Sequence, residues 1–479
     1  MKPTPRILAG IFGGMLACAA TLATDITSAD AVARLRVAMQ LARERNDRAL
    51  VDSVDRLGRE FRDGLPDNAD ARLRAVEESV GIDPGGWSMA GQPLFRPTRE
   101  MEEELRAVGP RLDAAMRLGD PPAVRTVTAE MLELLGDQAG VPDGRRPGRA
   151  AEPLRMTEAE AADLFLDALQ SRGSAIRQVA AGKPLPDQML RVYADMLAAM
   201  VGIRPFVAKR RPDALGEIDG LARGLATILL SLQQPAGHFP FPDLRGKNIR
   251  FGDMIQKRVD AGQAEARDGW ILSVEPSGGT QFDTGLCGVA LLLAGESYGN
   301  ADWRAAGLRA AQWALAQPCC ANFNYNAFSV SLLARAFRVT GEAEYRDGAW
   351  QKFRAGVAPG QAPNGRWMDP HNARTVYHVI LLRGVADLGG IAAPEDRGEV
   401  DAVARPAIKA LLGEFDAMGI TVEALPELLA LADLYPDDAR LAKAVGAMAG
   451  SIVEKCAVGQ RVRMDASPVQ IAALPRVAP

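Results

Sequence analysis

The chain has 479 residues, enough for two or three domains and a sizeable buried core. Its 56 basic residues stand against 60 acidic ones, a formal charge of −4, and 5% of its residues are aromatic. A mildly acidic, well-mixed charge pattern argues against nucleic acid as a partner. A composition rich in Ala, Leu and Arg and sparse in β-branched residues favours helix over sheet, because straight-chain residues lose little rotamer freedom in a helix.

The first 25 residues read MKPTPRILAGIFGGMLACAATLATD. A basic start at Lys2 and Arg6 leads into an apolar run from Ile7 to Leu22 and then small residues. This is the layout of a secretory signal peptide, expected to span 1–23 with cleavage after Ala19 or Ala23. A transmembrane anchor needs about 20 strongly apolar residues, and this run is short and rich in Gly and Ala. Cys18 offers a lipoprotein alternative, but Leu16 stands where a small residue is usual in that cleavage box. The protein is therefore expected to be exported, periplasmic or secreted, with no integral membrane span in the mature chain. Removal of Lys2 and Arg6 leaves 54 basic residues against 60 acidic. Cys287, Cys319, Cys320 and Cys456 then remain; Cys319 or Cys320 could bridge to Cys287, or all could be small buried side chains. No CxxC pair occurs, so neither a metal nor a cofactor is expected.

Apolar residues at three- and four-residue spacing predict an N-terminal helical domain over 24–139, with helices near 98–117 and 121–137. GVPDGRRPGRAAEPLR, 140–155, reads as a solvated linker. Segments 156–180 and 186–202 continue the helical pattern, giving a connection over 156–213 expected to pack on the next domain.

From 214 to 456 the sequence repeats. GTQFDTGLCGVALLLAGESYGNADWRAAGLRAAQWAL (279–315) and ANFNYNAFSVSLLARAFRVTGEAEYRDGAWQKF (321–353) share a polar lead, a small-residue apolar helix, a Gly stop and a second helix. RWMDPHNARTVYHVILLRGVADLGG with 395–412 is a third copy, 420–455 a fourth, and 214–243 part of another. Units of about 40–47 residues, each a helical hairpin, cannot bury their apolar faces alone and must stack. Residues 457–479 are left as a C-terminal tail. The fold class expected is all-α. Over 214–455 the repeat resembles the α/α-toroid enzymes: polysaccharide lyases, six-hairpin glycosidases and unsaturated glucuronyl hydrolases. QQPAGHFPFPD is similar to the Gln-Xaa-Pro-Xaa-Gly-aromatic stretches that close their hairpins, and GGTQFDTGLCGVALLLA resembles their inner-helix starts. The resemblance implies inner helices ringing a funnel and outer helices wrapped around them.

Aligning the units collects polar residues at one position, the start of the first helix. They are Gln281, Asp283 and Thr284; Asn322, Asn324, Tyr325 and Asn326; and Asp369, His371, Asn372 and Arg374. Inner-ring helices would carry all three groups to one rim. Helix capping is the competing account, and it suits Asp369, followed by Pro370 at a first helical position. At about 100° per residue His371, Arg374, Tyr377 and His378 share one arc, with His378 placed in the core. Trp367 and Tyr325 could stack on a sugar ring or simply pack. His238 and Arg250 lie in a loop that could overhang the funnel, or form a local surface cluster.

Two chemistries fit this rim. β-Elimination on a uronate polymer needs a group to neutralise the carboxylate, a base for the α-proton and an acid for the leaving oxygen. The resemblance implies Asn, His, Arg and Tyr in those roles: His371 or Tyr325 as base and acid, Asn322 or Asn324 with Arg374 at the carboxylate, and Asp283 as an orienting or acidic group. Hydrolysis needs two carboxylates, for which Asp283 and Asp369 are the candidates. The sequence favours an exported lyase acting on a polysaccharide or oligosaccharide, with a hydrolase second. A non-catalytic helical-repeat scaffold of the cell envelope is the alternative from another class.

Overall fold

A computed structural model describes scattered positions between 31 and 43. It then covers 47–61, 64–66, 68–80, 94–95, 97–144, 148–182, 188–246, 249–275, 277–457 and 468–478. The signal peptide read at 1–23, with Cys18, lies outside the described residues. The structure is all-α apart from one small sheet. The first helices with described bounds are α1 (Arg48–Glu60) and α2 (Ala69–Ser79), followed by α3 (Arg99–Leu118) and α4 (Pro121–Leu135). Next come α5 (Glu158–Ala180), α6 (Leu190–Arg210) and α7 (Leu215–Leu232). An excursion between α7 and the next hairpin holds β1 (Phe241–Pro242), α8 (Ile249–Asp260), β2 (Ala266–Arg267) and β3 (Trp270–Ile271). The strands form an antiparallel sheet in the order β1-β3-β2, with Phe241 and Ala266 both opposite Ile271.

Nine further α-helices follow among the described residues, in four pairs and a short closing piece. They are α9 (Gly279–Ser297) with α10 (Ala301–Ala316), α11 (Phe323–Thr340) with α12 (Ala343–Gly356), and α13 (Thr375–Gly389) with α14 (Arg397–Met418). After α15 (Leu425–Leu434) and α16 (Ala439–Ala457) comes the five-residue α17 (Pro468–Ala472). Helices α6, α9, α11, α13 and α15 pack side by side in that order, and each has its hairpin partner outside it. Helix α17 touches both α15 and α6, and so closes the ring, with α5 against it. The domain is an α/α toroid of five full hairpins and a shorter sixth position.

Two parts of the ring lie outside the stretch read as repeats. Its first inner helix, α6, falls in the connection expected over 156–213, and its closing segment, α17, in the tail expected over 457–479. The division of the core also differs from the division of the sequence. Phe95, Leu112, Met131 and Val141 belong to the same continuous core as the ring, whereas Leu57, Phe61 and Leu73 form a small separate cluster. The first residues of the stretch read as a linker are held against the ring. Residues 140–144 are buried, the Gly140 and Asp143 amides donate to the carbonyls of Met368 and Pro370, and Arg149 exchanges backbone bonds with Ile420. Pro, Gly and Arg can strap a rim as readily as they can be solvated, and composition does not distinguish the two.

One loop geometry recurs and carries the Gln-Xaa-Pro-Xaa-Gly pattern. Gln233 Nε2 donates to the carbonyls of Gly237 and Ala306, each at 2.9 Å. Gln361 Nε2 does the same to Gly365 at 3.1 Å and Val403 at 2.8 Å. In both loops the glutamine ties its own turn to the outer helix of the next hairpin. Gly237 (φ 102°) and Gly365 (φ 84°) occupy a backbone region that side chains rarely adopt. A Cβ there would lie 2.3 Å and 2.2 Å from the carbonyl oxygens of Arg309 and Pro406. Only glycine lets the turn sit this close to the neighbouring helix.

Candidate functional site in the ring

Each inner helix is packed on every side but one, so its exposed stripe marks the lumen. On α13 the stripe runs Val376, Tyr377, Ile380, Arg383 and Asp387, a three- to four-residue spacing. On α9 it runs Phe282, Leu286, Val289, Leu293 and Glu296. Arg383 keeps 35% of its side chain exposed although it stands on an innermost helix, so the ring is open along its axis.

At the helix-start end, Arg191 from α6 makes a bidentate pair with Asp283 on α9, Nε to Oδ1 at 2.8 Å and Nη2 to Oδ2 at 2.9 Å. The same guanidinium lies 3.7 Å from the centre of the Phe282 ring, which stacks on Phe328 at 4.1 Å. Tyr325 is 6.2 Å from Phe282, and burial pushes its phenol well above the usual range. His371 stacks on Tyr377 with ring centres 4.0 Å apart. Asn324 Nδ2 donates to Asn372 Oδ1 at 2.7 Å, and Asn372 Nδ2 donates to Asn322 Oδ1 at 3.1 Å and Asp369 Oδ2 at 2.8 Å. Asn324 Oδ1 is buried and accepts from no described residue. Burial pushes the Asp369 carboxyl up to about 6.

The aligned polar residues thus divide. Tyr325, Tyr377 and His371 come to the mouth of the lumen, Asp283 lies buried next to it against Arg191, and Asn322, Asn324 and Asn372 form one amide network beside it. Capping does not explain Asp283 or Asn324: both lie inside their helices, and Glu275 closes the start of α9 by accepting the Gly279 amide at 2.9 Å. Asp369 does cap, but only a turn, through the Asn372 amide at 2.9 Å. Helix α13 begins at Thr375 with Arg374 as its N-cap, so His371 precedes the helix instead of sharing its arc.

Several expected contacts are replaced by structural ones. Arg374 is held by Asp143 from the strap, Nη2 to Oδ2 at 2.7 Å with a second bond from Nε. Gln281 donates to the Pro318 carbonyl at 3.1 Å and accepts from Ser329 at 2.7 Å. Asn326 donates to the carbonyls of Cys320 and Gly356 at 2.8 and 2.7 Å, which ties the α11 start to α12. Trp367 is fully buried, its Nε1 donating to the Val357 carbonyl at 2.8 Å, so it offers no face to a sugar. His238 is buried against Trp313 of an outer helix, with Nε2 2.8 Å from the Leu272 carbonyl, and does not overhang the funnel. Arg250 lies in α8, and its side chain falls outside the described residues. His378 is fully buried, 2.9 Å from the Ala407 carbonyl, and burial pushes it down to about 3.

The structure adds residues that the alignment missed. Asp195 stands one turn beyond Arg191 on α6, and burial together with Glu427 of α15 pushes its carboxyl up to about 7, against the pull of Arg191. Burial raises Glu427 too, opposed by Arg383. The available signal was charge at i and i+4 in otherwise apolar helices: Arg191 with Asp195, and Arg383 with Asp387. Cys287, Cys319 and Cys320 are buried thiols, so the bridge from Cys287 does not form. Among the described residues no group of three or more His, Cys, Asp or Glu is placed to hold a metal ion, and no helix is long and apolar enough to cross a membrane.

The fold and this site define an α/α toroid with a charged, aromatic-rimmed lumen. No family's sequence model matches the chain, and no curated protein does. Similar solved structures include a family 76 glycoside hydrolase from a bovine Bacteroides thetaiotaomicron strain, 11% identical over 68% of this chain and 77% of that one, TM-score 0.43. Another is a metagenome-derived glycoside hydrolase family 9 endoglucanase, 17% identical over 55% of this chain, TM-score 0.36. The chain spans about half of that endoglucanase, 52% of its length. A third is the unsaturated glucuronyl hydrolase of Bacillus sp. GL1, responsible for the degradation of glycosaminoglycan, 15% identical over 62% of this chain and 83% of that one, TM-score 0.30.

Proposed function

We propose that the chain is a carbohydrate-active enzyme that hydrolyses a glycosidic bond at the mouth of the ring. The observation that carries the reading is a pair of carboxyl groups in opposite settings on adjacent inner helices. Asp195 has its carboxyl pushed up to about 7 and so keeps its proton near neutrality, whereas Asp283 is a carboxylate locked in a bidentate pair with Arg191. Divided environments of this kind let one carboxyl act as acid and the other as base or nucleophile. Asp195 gives its proton to the glycosidic oxygen as the bond breaks. Asp283, oriented by Arg191, attacks the anomeric carbon or activates the water that does, and the anomer released distinguishes the two. Tyr377, stacked on His371 by one face, supplies a flat apolar surface for a sugar ring, and the buried Asn324 Oδ1 is an acceptor suited to a sugar hydroxyl.

β-Elimination has less to work with. It needs a cation or spare donors for a uronate carboxylate, yet Arg374 and Arg191 are each held by an aspartate, and the Asn324 and Asn372 amides donate to each other's network. The export signal read at 1–23 would carry the enzyme to an extracytoplasmic saccharide. The test is digestion of a panel of neutral and uronate oligosaccharides. Reducing ends should appear without ultraviolet-absorbing unsaturated product, and Asp195→Asn and Asp283→Asn should abolish them. Appearance of the unsaturated product would replace hydrolysis by elimination, and no cleavage across the panel would favour the scaffold.

A further inference from the structure

The far end of the ring carries a second charged cluster, which hydrolysis at the mouth does not use. Arg335 and Arg338 are one turn apart on α11, and Arg383 and Asp387 are one turn apart on the adjacent α13. Glu296 reaches in from the last turn of α9. At 1.5 Å per residue the Arg335 level lies roughly 10–15 Å further along the ring axis than Asp283. Leu286, Val289 and Ile380 occupy the lumen stripe between the two levels, and on α15 Glu427 lies between Asp195 and Arg383.

The cluster is not fully paired. Arg335 is paired with Glu296, and Arg383 with Asp387 through Nε at 2.9 Å. Arg338 is exposed, and no described carboxylate lies within ion-pair distance of it. Its guanidinium lies over Gly390, where a Cβ would meet Arg338 Nη2 at 1.9 Å, so Arg338 is aimed across the end of α13. Arg335 Nε is buried and donates to nothing described. Burial, with Arg338 and Arg383 beside it, pushes the Arg335 guanidinium below its ordinary value. Glu296 and Asp387 thus hold Arg335 and Arg383, and Glu427 and Asp433 also act on Arg383, while Arg338 and the Arg335 Nε are left over in a part of the ring that water still reaches: 24% of the Arg335 side chain and 35% of the Arg383 side chain are exposed.

Planar guanidiniums with spare N–H groups recognise oxyanions through paired, charge-assisted hydrogen bonds. We propose that the far end of the ring is an oxyanion-binding site formed by Arg335, Arg338 and Arg383. It takes a phosphate, sulfate or carboxylate group, either free in solution or carried as a substituent on a saccharide. The filled site supplies a counter-charge for Arg338 and an acceptor for Arg335 Nε. This site does not depend on the chemistry at the mouth.

The experiment is calorimetric titration of the full chain at low ionic strength, with inorganic phosphate in one arm and a monosulfated disaccharide in the other. Saturable binding of phosphate supports a site for a free anion, and binding of the sulfated sugar alone supports a substituent site. Arg338→Gln, at an exposed position, should weaken either about tenfold, the equivalent of one charge-assisted hydrogen bond. Glu296→Gln removes the carboxylate that competes for Arg335 and should tighten binding by a similar factor, a gain that misfolding cannot produce. Asp195→Asn should leave the affinity unchanged, which separates this site from the hydrolytic reading. Absence of saturable binding in both arms, or affinities unmoved by both Arg338→Gln and Glu296→Gln, would overturn the proposal.

Discussion

Replacing Asp195 by Asn should make the protein more stable at high pH while removing the hydrolysis proposed for it. Burial first, and Glu427 second, raise this carboxyl from 3.8 to about 7. Because the folded value lies above the unfolded one, the folded chain keeps a proton that the unfolded chain has released between those two pH values. The stability linked to the group is therefore fully present below 3.8 and is lost as pH rises through about 7. At 1.36 kcal/mol for each tenfold change in proton affinity, the full interval corresponds to roughly 4 kcal/mol by about pH 9. An amide has no charge to desolvate. Asp195→Asn should match the parent near about pH 4 and exceed it by up to ~4 kcal/mol near about pH 9. With an unfolding entropy of ~2.1 cal/mol/K per residue over roughly 370 cooperative residues, the melting temperature rises by ~5 °C. Loss of the proton donor should lower kcat about 10²- to 10⁴-fold. Calorimetric melts of both proteins across that pH range, with rates on any cleaved oligosaccharide, check the two halves together. A variant less stable than the parent at high pH, or equally active, would refute the assignment.

Three other substitutions test the frame around the site. Arg374→Met removes the bidentate Arg374 contact from the buried Asp143 carboxylate and should cost about 3 kcal/mol, with faster hydrogen exchange at the Gly140 and Asp143 amides. Unchanged exchange there would mean the strap does not depend on the pair. His378 is lowered from 6.5 to about 3, so the stability it supports is present above 6.5 and lost as pH falls toward about 3. His378→Gln should flatten that acid limb in urea melts, and an unchanged limb would count against the burial account. Gly365→Ala and Gly237→Ala should each cost about 1–3 kcal/mol or more, since a Cβ meets backbone oxygen at both. Gly246→Ala also has positive φ but open space around it, and thermal melts should show a cost of only ~1 kcal/mol, from backbone strain alone.

The repeat was legible because it rests on periodicity and punctuation: small-residue helices, Gly stops and the Gln-Xaa-Pro-Xaa-Gly turn recur at fixed spacing. Alignment brought Asp283, Asn324, Asn372 and Tyr325 to one end of the ring. It could not reveal what each residue touches. Arg374 resembles a substrate-binding arginine until Asp143, 231 residues away in sequence, is found on it. Trp367 and His238 were ambiguous for the same reason: an aromatic in a loop reads alike whether it faces a lumen or an outer helix. Helix α6 escaped notice because it lacks the polar lead of the other inner helices. Its two lumen charges, Arg191 and Asp195, took their meaning only from Asp283 and Glu427 on neighbouring staves.

Helix α17 joins α6 to α15, so the two ends of the ring's sequence meet in space. Leu190 and Ile471 lie roughly 280 residues apart, and the contact between their helices can form only after most of the chain is in place. The five hairpins have short internal connections and can form early as a curved stack. Closure is the long-range step, and until it occurs the flanks of α6 and α15 present apolar surface to whatever is nearby. Folding of this chain should therefore show a slow final phase that follows most of the gain in helix and coincides with enclosure of Asp195 and Glu427. A fold read here as a closed ring behaves, while it forms, as an open solenoid with an exposed seam.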